Sequence, residues 1–123
     1  MPSVAIIGAS ANRSKYGNKA VRAYLEAGWT VYPINLHEKT IEGIPAFAHV
    51  ADVGKPINRV ALYLPPAAGM AIINEIAACA PREVFFNPGS ESDDLIARAR
   101  ELGLQPTLGC AIINIGKKPS SYS

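Results

Sequence analysis

Short apolar runs alternate with stretches of helical periodicity along the whole 123-residue chain. The apolar runs predict strands at residues 4–7, 29–34, 59–64, 83–86 and 105–108. Between them, apolar residues recur at steps of three and four, which is typical of helices with one buried face. Strands and helices that alternate in this way form parallel sheets through right-handed crossovers. We therefore predict an α/β fold, a Rossmann-like three-layer α/β/α sandwich with a parallel five-stranded sheet in the order 3-2-1-4-5.

Glycine, proline and serine mark the expected ends of the helices. Gly28 ends the first helix, since glycine readily adopts the left-handed conformation of a C-terminal cap. Pro66 suits the first position of the second helix, where its missing N–H costs no hydrogen bond. Ser90-x-x-Asp93 resembles a capping box and predicts the start of the third helix. Residues 41–52 have no clear period and predict a short extended piece with one helical turn.

The composition indicates a single folded domain. Hydrophobic residues make up 49% of the chain and charged residues 18%, a mixture that favours a buried core over disorder. The net charge of +2, without a basic stripe, argues against a nucleic-acid partner. No apolar run is long enough to span a membrane, and no secretory signal is visible. We expect a domain at residues 1–115 and a flexible tail at residues 116–123. We also expect a cytoplasmic location, because the chain has only two cysteines, too few for a disulfide framework.

The loop after the first strand is the main candidate for a binding site. Ligands of open α/β sheets bind at the carboxyl ends of the strands, where the strand order reverses. The loop begins with the small residues Gly8, Ala9 and Ser10, so its backbone N–H groups can approach a phosphate, and the following helix adds partial positive charge. Arg13 and Lys15 add cations. The alternative is a tight strand-to-helix connection that binds nothing.

The loop departs from the dinucleotide fingerprint G-x-G-x-x-G at two points. Ser10 takes the place of the second glycine, and Asn35 ends the second strand where an NAD-binding protein carries Asp or Glu. His37 and Lys39 on the next loop suit a ribose that bears a phosphate, which a carboxylate would repel. CoA and NADP both carry such a phosphate, so NAD is disfavoured.

Four short motifs at the ends of successive strands resemble the CoA-binding domain family. They are Gly8-Ala9-Ser10, Pro33-Ile34-Asn35, Tyr63-Leu64-Pro65-Pro66 and Pro88-Gly89. These stand-alone Rossmann-like proteins are similar to the CoA-binding domain of the succinyl-CoA synthetase alpha subunit, and the resemblance covers nearly the full chain. It implies that the ligand phosphates lie over Gly8, Ala9, Ser10 and Asn12, with Arg13 as a nearby cation.

The same resemblance implies the walls of the site. Ile34 and Asn35 would border the adenosine portion of the ligand, while the opposite wall and the floor would consist of Tyr63, Leu64, Pro65, Pro88 and Gly89. The chain departs from the family pattern at Leu36, where relatives often carry proline. It departs again at residues 87–90, where relatives have an apolar-Gln-x-Gly turn.

Residues that would carry catalysis are scarce. The loop at Ser10 lacks the last glycine of a nucleophile elbow, and His37 and His49 have no partners at metal-ligand spacing. Cys110 is the one reactive candidate, although burial is the commoner state of a cysteine. We expect a module that binds CoA or an acyl-CoA without catalysis of its own. An NAD(P)-linked redox enzyme or sensor and a ligand-free interaction domain are the alternatives, and the sequence leaves open a homodimer or a larger partner subunit.

Overall fold

The computed structural model describes all residues of the chain, Met1–Ser123, and has seven strands and four α-helices. In chain order the elements are β1 (Ser3–Ile7), α1 (Tyr16–Glu26), β2 (Thr30–Ile34), β3 (Thr40–Ile41), β4 (Ile44–Pro45), β5 (Arg59–Leu62), α2 (Pro66–Ala78), β6 (Glu83–Phe86), α3 (Asp93–Glu101), β7 (Pro106–Leu108) and α4 (Ala111–Asn114), with 3₁₀ turns at Val50–Val53 and Pro119–Ser121. The longest helix, α2, has 13 residues, and no helix combines the length and apolar character of a transmembrane segment. The predicted α/β class is confirmed.

Five of the strands form one parallel sheet in the order β2-β1-β5-β6-β7. Phe47 extends this sheet, because it forms a parallel bridge with Ile34 on the outer side of β2. Its amide donates to the Pro33 carbonyl at 2.9 Å. With the segment at Phe47 counted as the third strand, the sheet keeps the predicted 3-2-1-4-5 pattern, and β7 adds a sixth position. The strand expected in the third place, at residues 59–64, ends at Leu62 and lies on the other side of β1, since Phe47 already occupies the edge of β2.

Strand β1 lies at the centre of the core, and all five of its residues are buried. Successive side chains of a strand point to opposite faces of the sheet. Ala5 and Ile7 accordingly belong to the core cluster that contains the buried residues of α2 and α3. Val4 and Ile6 belong to the second cluster, which contains those of α1 and α4. The carboxyl end of β1 therefore emerges in the middle of the sheet edge, with helices on both sides.

The ends of the helices follow the sequence signals with one correction. Gly28 has a φ of +87° after α1, and Pro66 opens α2, as predicted. Helix α3 begins later than expected, because Ser92 and not Ser90 caps it. The Ser92 hydroxyl oxygen accepts a hydrogen bond from the Leu95 amide at 3.1 Å. Ser90 is buried instead, and its amide donates to the Asn87 carbonyl at 2.8 Å, which extends the turn after β6.

The last residues of the chain pack on α1 instead of extending from the domain as a flexible tail. Arg22 donates to the carbonyl of Tyr122 at 2.7 Å, and the Tyr122 side chain is buried in the second core cluster. Lys117 donates to the Glu26 carboxylate at 2.8 Å, and this hydrogen bond holds the pKa of Glu26 below its ordinary value. The domain boundary at residue 115 stays a prediction.

Arg59 is a buried charge at the amino end of β5, where it is 7% exposed. Its guanidinium donates to Glu83, Tyr24 and Asn114 over 2.7–3.2 Å and lies over the rings of Trp29 and Phe85, at 4.9 and 4.4 Å from their centroids. A buried charge is tolerated when all of its donors have partners and aromatic faces cover it. Arg59 therefore ties β5 and β6 to α1 and α4 at the end of the sheet opposite Gly8.

Replacing Arg59 by alanine is expected to lower the free energy of unfolding by about 3 kcal/mol, because the hydrogen bonds, the ion pair and the aromatic contacts are lost together. Urea denaturation followed by circular dichroism measures this loss. The control is Arg98→Ala, which removes an exposed pair with Glu101 and is expected to cost about 0.5 kcal/mol or less. Equal losses in the two variants would show that the buried network contributes no more than a surface pair.

Candidate ligand-binding cleft

A cleft of about 910 Å³ lies at the carboxyl ends of β1, β5 and β6. It is lined by Gly8, Ala9, Ser10, Lys15, Tyr16, Gly17, Asn35, Tyr63, Leu64, Pro65, Asn87, Pro88, Gly89, Ser90, Cys110, Ile113 and Pro119. Nine of the residues predicted to bind a ligand are among them. The position agrees with the general rule that open parallel sheets bind ligands at this edge.

The loop between β1 and α1 presents backbone amides that have no acceptor within the chain. They belong to Ala9, Ser10, Ala11, Arg13, Tyr16 and Gly17, which donate no hydrogen bond to any other residue. Buried or crowded N–H groups are normally paired, and unpaired ones at a helix N-terminus are a common site for anions. Ala9, Ser10, Tyr16 and Gly17 line the cleft, whereas Ala11 and Arg13 do not. The loop and the first turn of α1 thus supply several free amides to the same edge of the cleft.

Two glycines let α1 start directly against the end of β1. Gly8 has a φ of +92°, and a Cβ atom there would lie 3.0 Å from the backbone of Tyr63. A Cβ atom on Gly17 would collide with the carbonyl oxygen of Gly8. Because neither position has room for a side chain, the amides of the helix N-terminus lie close to those of the loop.

Asn35 holds the loop from the end of β2. Its amide nitrogen donates to the Ala9 carbonyl at 2.8 Å. Its amide oxygen accepts from the backbone amides of His37 and Glu38 at 2.8 and 2.9 Å. The position that carries a ribose-binding carboxylate in NAD-binding proteins therefore supplies a neutral side chain that fixes two loops.

A second cleft, of about 380 Å³, adjoins the first over β2 and α2. The two clefts share Gly8, Ala9, Asn35 and Leu64. The smaller cleft contains the predicted residues Ile34 and His37, together with Ile7, Leu36, Ala48, His49, Val50, Ile72 and Glu75. The residues at 48–50 were missed in the sequence, because nothing in their local pattern shows that the chain returns to the edge of β2 at Phe47.

The arm of the larger cleft beyond β5 contains Tyr63, Asn87 and Cys110. Asn87 is buried, donates to the Leu62 carbonyl at 3.0 Å and accepts from the Ala111 amide at 2.9 Å, so it fixes the start of α4. The Tyr63 hydroxyl is buried without a hydrogen-bond partner, and burial raises the pKa of this group. Cys110 is a free, half-buried thiol in the same arm.

The matching family model has the description CoA binding domain and covers residues 2–115. The chain belongs to the CoA-binding domain family. The resemblance inferred from the four sequence motifs is therefore confirmed. No curated protein sequence is similar enough to count as a match.

Solved structures share the fold of this CoA-binding domain. A conserved hypothetical protein of Pyrococcus furiosus is 27% identical, with a TM-score of 0.86 over 93% of this chain and 99% of that one. A hypothetical protein of Pyrococcus horikoshii is 23% identical, with a TM-score of 0.84 over 91% and 79%. The dinucleotide-forming acetyl-coenzyme A synthetase 1 of Ca. Korarchaeum cryptofilum, solved with phosphate and ADP, is 24% identical, with a TM-score of 0.76 over 85% of this chain and 25% of that one.

Three of the predicted ligand residues of this CoA-binding domain lie outside both clefts. The Asn12 carboxamide oxygen accepts from the amide and hydroxyl of Ser14 at 3.0 and 2.7 Å. The Arg13 guanidinium lies 3.4 Å from the Glu42 carboxylate, and its side chain is 62% exposed. Lys39 lines neither cleft. Lys15, immediately before α1, is the cation of this loop that lines the larger cleft.

A Gly17→Ala variant is expected to lose about 2 kcal/mol of unfolding free energy, because α1 must move away from the Gly8 carbonyl to make room for the methyl group. Thermal denaturation measures the loss as a lower Tm, by several degrees for a domain of this size. Gly109→Ala is the matched control, since a Cβ atom there meets nothing within 4 Å. A Gly17→Ala variant as stable as Gly109→Ala would refute the close approach of α1 to β1.

Proposed function

We propose that this CoA-binding domain holds CoA or an acyl-CoA by its phosphates and has no catalysis of its own. The observation that carries the proposal is the group of unengaged amides at Ala9, Ser10 and Ala11 beside the N-terminus of α1. Phosphate oxygens accept hydrogen bonds from such amides and are attracted by the helix dipole. The family membership of residues 2–115 supports CoA as the ligand that supplies the phosphates.

The two adjoining clefts suit an extended ligand with chemically distinct parts. The pyrophosphate would lie over the residues that both clefts share, Gly8 and Ala9. The adenosine portion would then occupy the smaller cleft beside Ile34 and His37, with the 3′-phosphate on the side of His37. The pantetheine chain would follow the larger cleft past Tyr63 and over the wall formed by Leu64, Pro65, Pro88 and Gly89.

The side chains of the larger cleft support a binding role over a catalytic one. The Ser10 hydroxyl oxygen accepts a hydrogen bond from the Asn12 amide at 3.0 Å, and no histidine lines the cleft that could remove its proton. Burial raises the pKa of Tyr63 still further above neutral pH, so this hydroxyl is a poor general base.

Isothermal titration calorimetry with CoA, dephospho-CoA, NADP and NAD tests the proposal. We expect CoA to bind most tightly and dephospho-CoA to bind about tenfold more weakly, because the missing 3′-phosphate forfeits roughly one charge-assisted contact. A ligand that binds only the folded chain also raises its Tm. The absence of binding to both CoA and dephospho-CoA would refute the proposal, and NADP binding more tightly than CoA would favour a redox role.

The two basic residues of the loop are expected to differ in their effect on CoA binding. Lys15→Ala should weaken binding about tenfold and reduce its dependence on salt, because a cation that lines the cleft is lost. Arg13→Ala should change the affinity by less than about twofold, because Arg13 is paired with Glu42 outside the cleft. Titrations at low and high salt measure both effects. A larger loss in Arg13→Ala than in Lys15→Ala would contradict this placement of the phosphates.

A further inference from the structure

Asn18 is a fully buried polar residue in the first turn of α1, with 0% exposure. Its amide nitrogen donates to the Ser10 carbonyl at 2.9 Å and to the Glu42 carboxylate at 3.0 Å. Its amide oxygen accepts from the Arg22 guanidinium at 2.8 Å. Asn18 lines neither cleft, so any effect that it has on a ligand must pass through these partners.

The hydrogen bond from Asn18 fixes the direction of one peptide group in the loop. Every peptide bond of the chain is trans, and in a trans peptide the N–H points opposite to the preceding carbonyl. The Ser10 carbonyl is directed toward the buried Asn18 side chain, so the Ala11 N–H points away from the interior. In the same way Asn35 holds the Ala9 carbonyl, so the Ser10 N–H points away from Asn35.

These two asparagines act on successive peptides of the same loop. The amides that they orient, those of Ser10 and Ala11, are among the ones without an acceptor in the chain. Small residues with little side-chain contact leave a loop free to rotate its peptides, and rotation would turn the carbonyl dipoles toward an anion. Fixed carbonyls therefore keep the donors pointing outward before a ligand arrives, which lowers the ordering cost of binding.

We infer that Asn18 is a positioning residue that, together with Asn35, sets the amides of Ser10 and Ala11 for phosphate binding. The inference rests on the proposed function of the cleft and adds Asn18, which lines neither cleft. An aspartate at position 18 could not replace Asn18, because an acceptor oxygen would stand where the amide nitrogen donates to the Ser10 carbonyl and the Glu42 carboxylate. The Arg13 guanidinium lies 3.4 Å from the Glu42 carboxylate, and Arg22 donates to the Asn18 amide oxygen on the other side of this network.

The test compares ADP with adenosine, which differ only in the phosphates. In Asn18→Ala we expect the affinity for ADP to fall about tenfold while that for adenosine changes by less than about twofold. NMR titration measures the dissociation constants of both ligands, including the weaker binding expected for adenosine. A merely structural role would leave the ratio of the two affinities at its wild-type value, and this result would overturn the inference. Asn74→Ala is the matched control. It removes an exposed asparagine of α2 whose amide oxygen accepts a hydrogen bond from Arg98 of α3.

A second measurement uses the unaltered chain, so it does not depend on whether Asn18→Ala folds. Addition of ADP is expected to shift the backbone amide resonances of Ser10 and Ala11 more than those of Asn12 and Ser14, whose amides already have acceptors in the chain. ADP binding that leaves both Ser10 and Ala11 unshifted would overturn the inference while the proposed function stands. If the wild-type chain binds neither CoA nor ADP, the proposed function fails and this inference falls with it.

Discussion

The contact between the first turn of α1 and the end of β1 is the constraint on which the candidate site depends. Gly17 lies against the Gly8 carbonyl with no room for a methyl group, and Gly8 itself turns away from β1 with a φ of +92°. Only glycine combines that conformation with so close an approach. As a result, the loop amides and the amides of the helix N-terminus lie together instead of being separated by side chains. The partial positive charge of the helix then acts on the same region as the loop donors.

This contact is held in place by a core that leaves β1 little freedom. All five residues of the strand are buried, and each face is covered by a different pair of helices. The buried charge of Arg59 lies at the opposite end of the sheet, where it joins β5 and β6 to α1 and α4. The two ends of the sheet therefore differ in role. The amino ends of β5 and β6 are packed around a paired charge and are rigid, whereas the loop at the carboxyl end of β1 supplies hydrogen-bond donors.

Local patterns in the sequence were enough to predict the fold and the place of the cleft. Apolar periodicity revealed the five strands of the sheet, and the topology then placed Gly8, Tyr63 and Pro88 along one edge. What could not be predicted depends on pairings between distant segments. Arg13 turns to Glu42, which lies 29 residues later on the β3–β4 turn, and Phe47 returns to β2 to take the edge that residues 59–64 were expected to occupy. Ser92 displaces Ser90 as the cap of α3 because the turn after β6 buries Ser90.

Asn35 departs from the dinucleotide fingerprint but still has a structural role at the end of β2. A carboxylate at the end of β2 would accept hydrogen bonds and add negative charge beside the loop between β1 and α1. The carboxamide instead donates to the Ala9 carbonyl and accepts from two amides of the following loop, so it supports the loop without a charge. The Glu42 carboxylate lies 3.4 Å from the Arg13 guanidinium and accepts a hydrogen bond from the Asn18 amide nitrogen, so its charge is already engaged. The larger cleft is then lined by free amides of the loop, the N-terminus of α1 and the cation of Lys15, which together attract anionic groups.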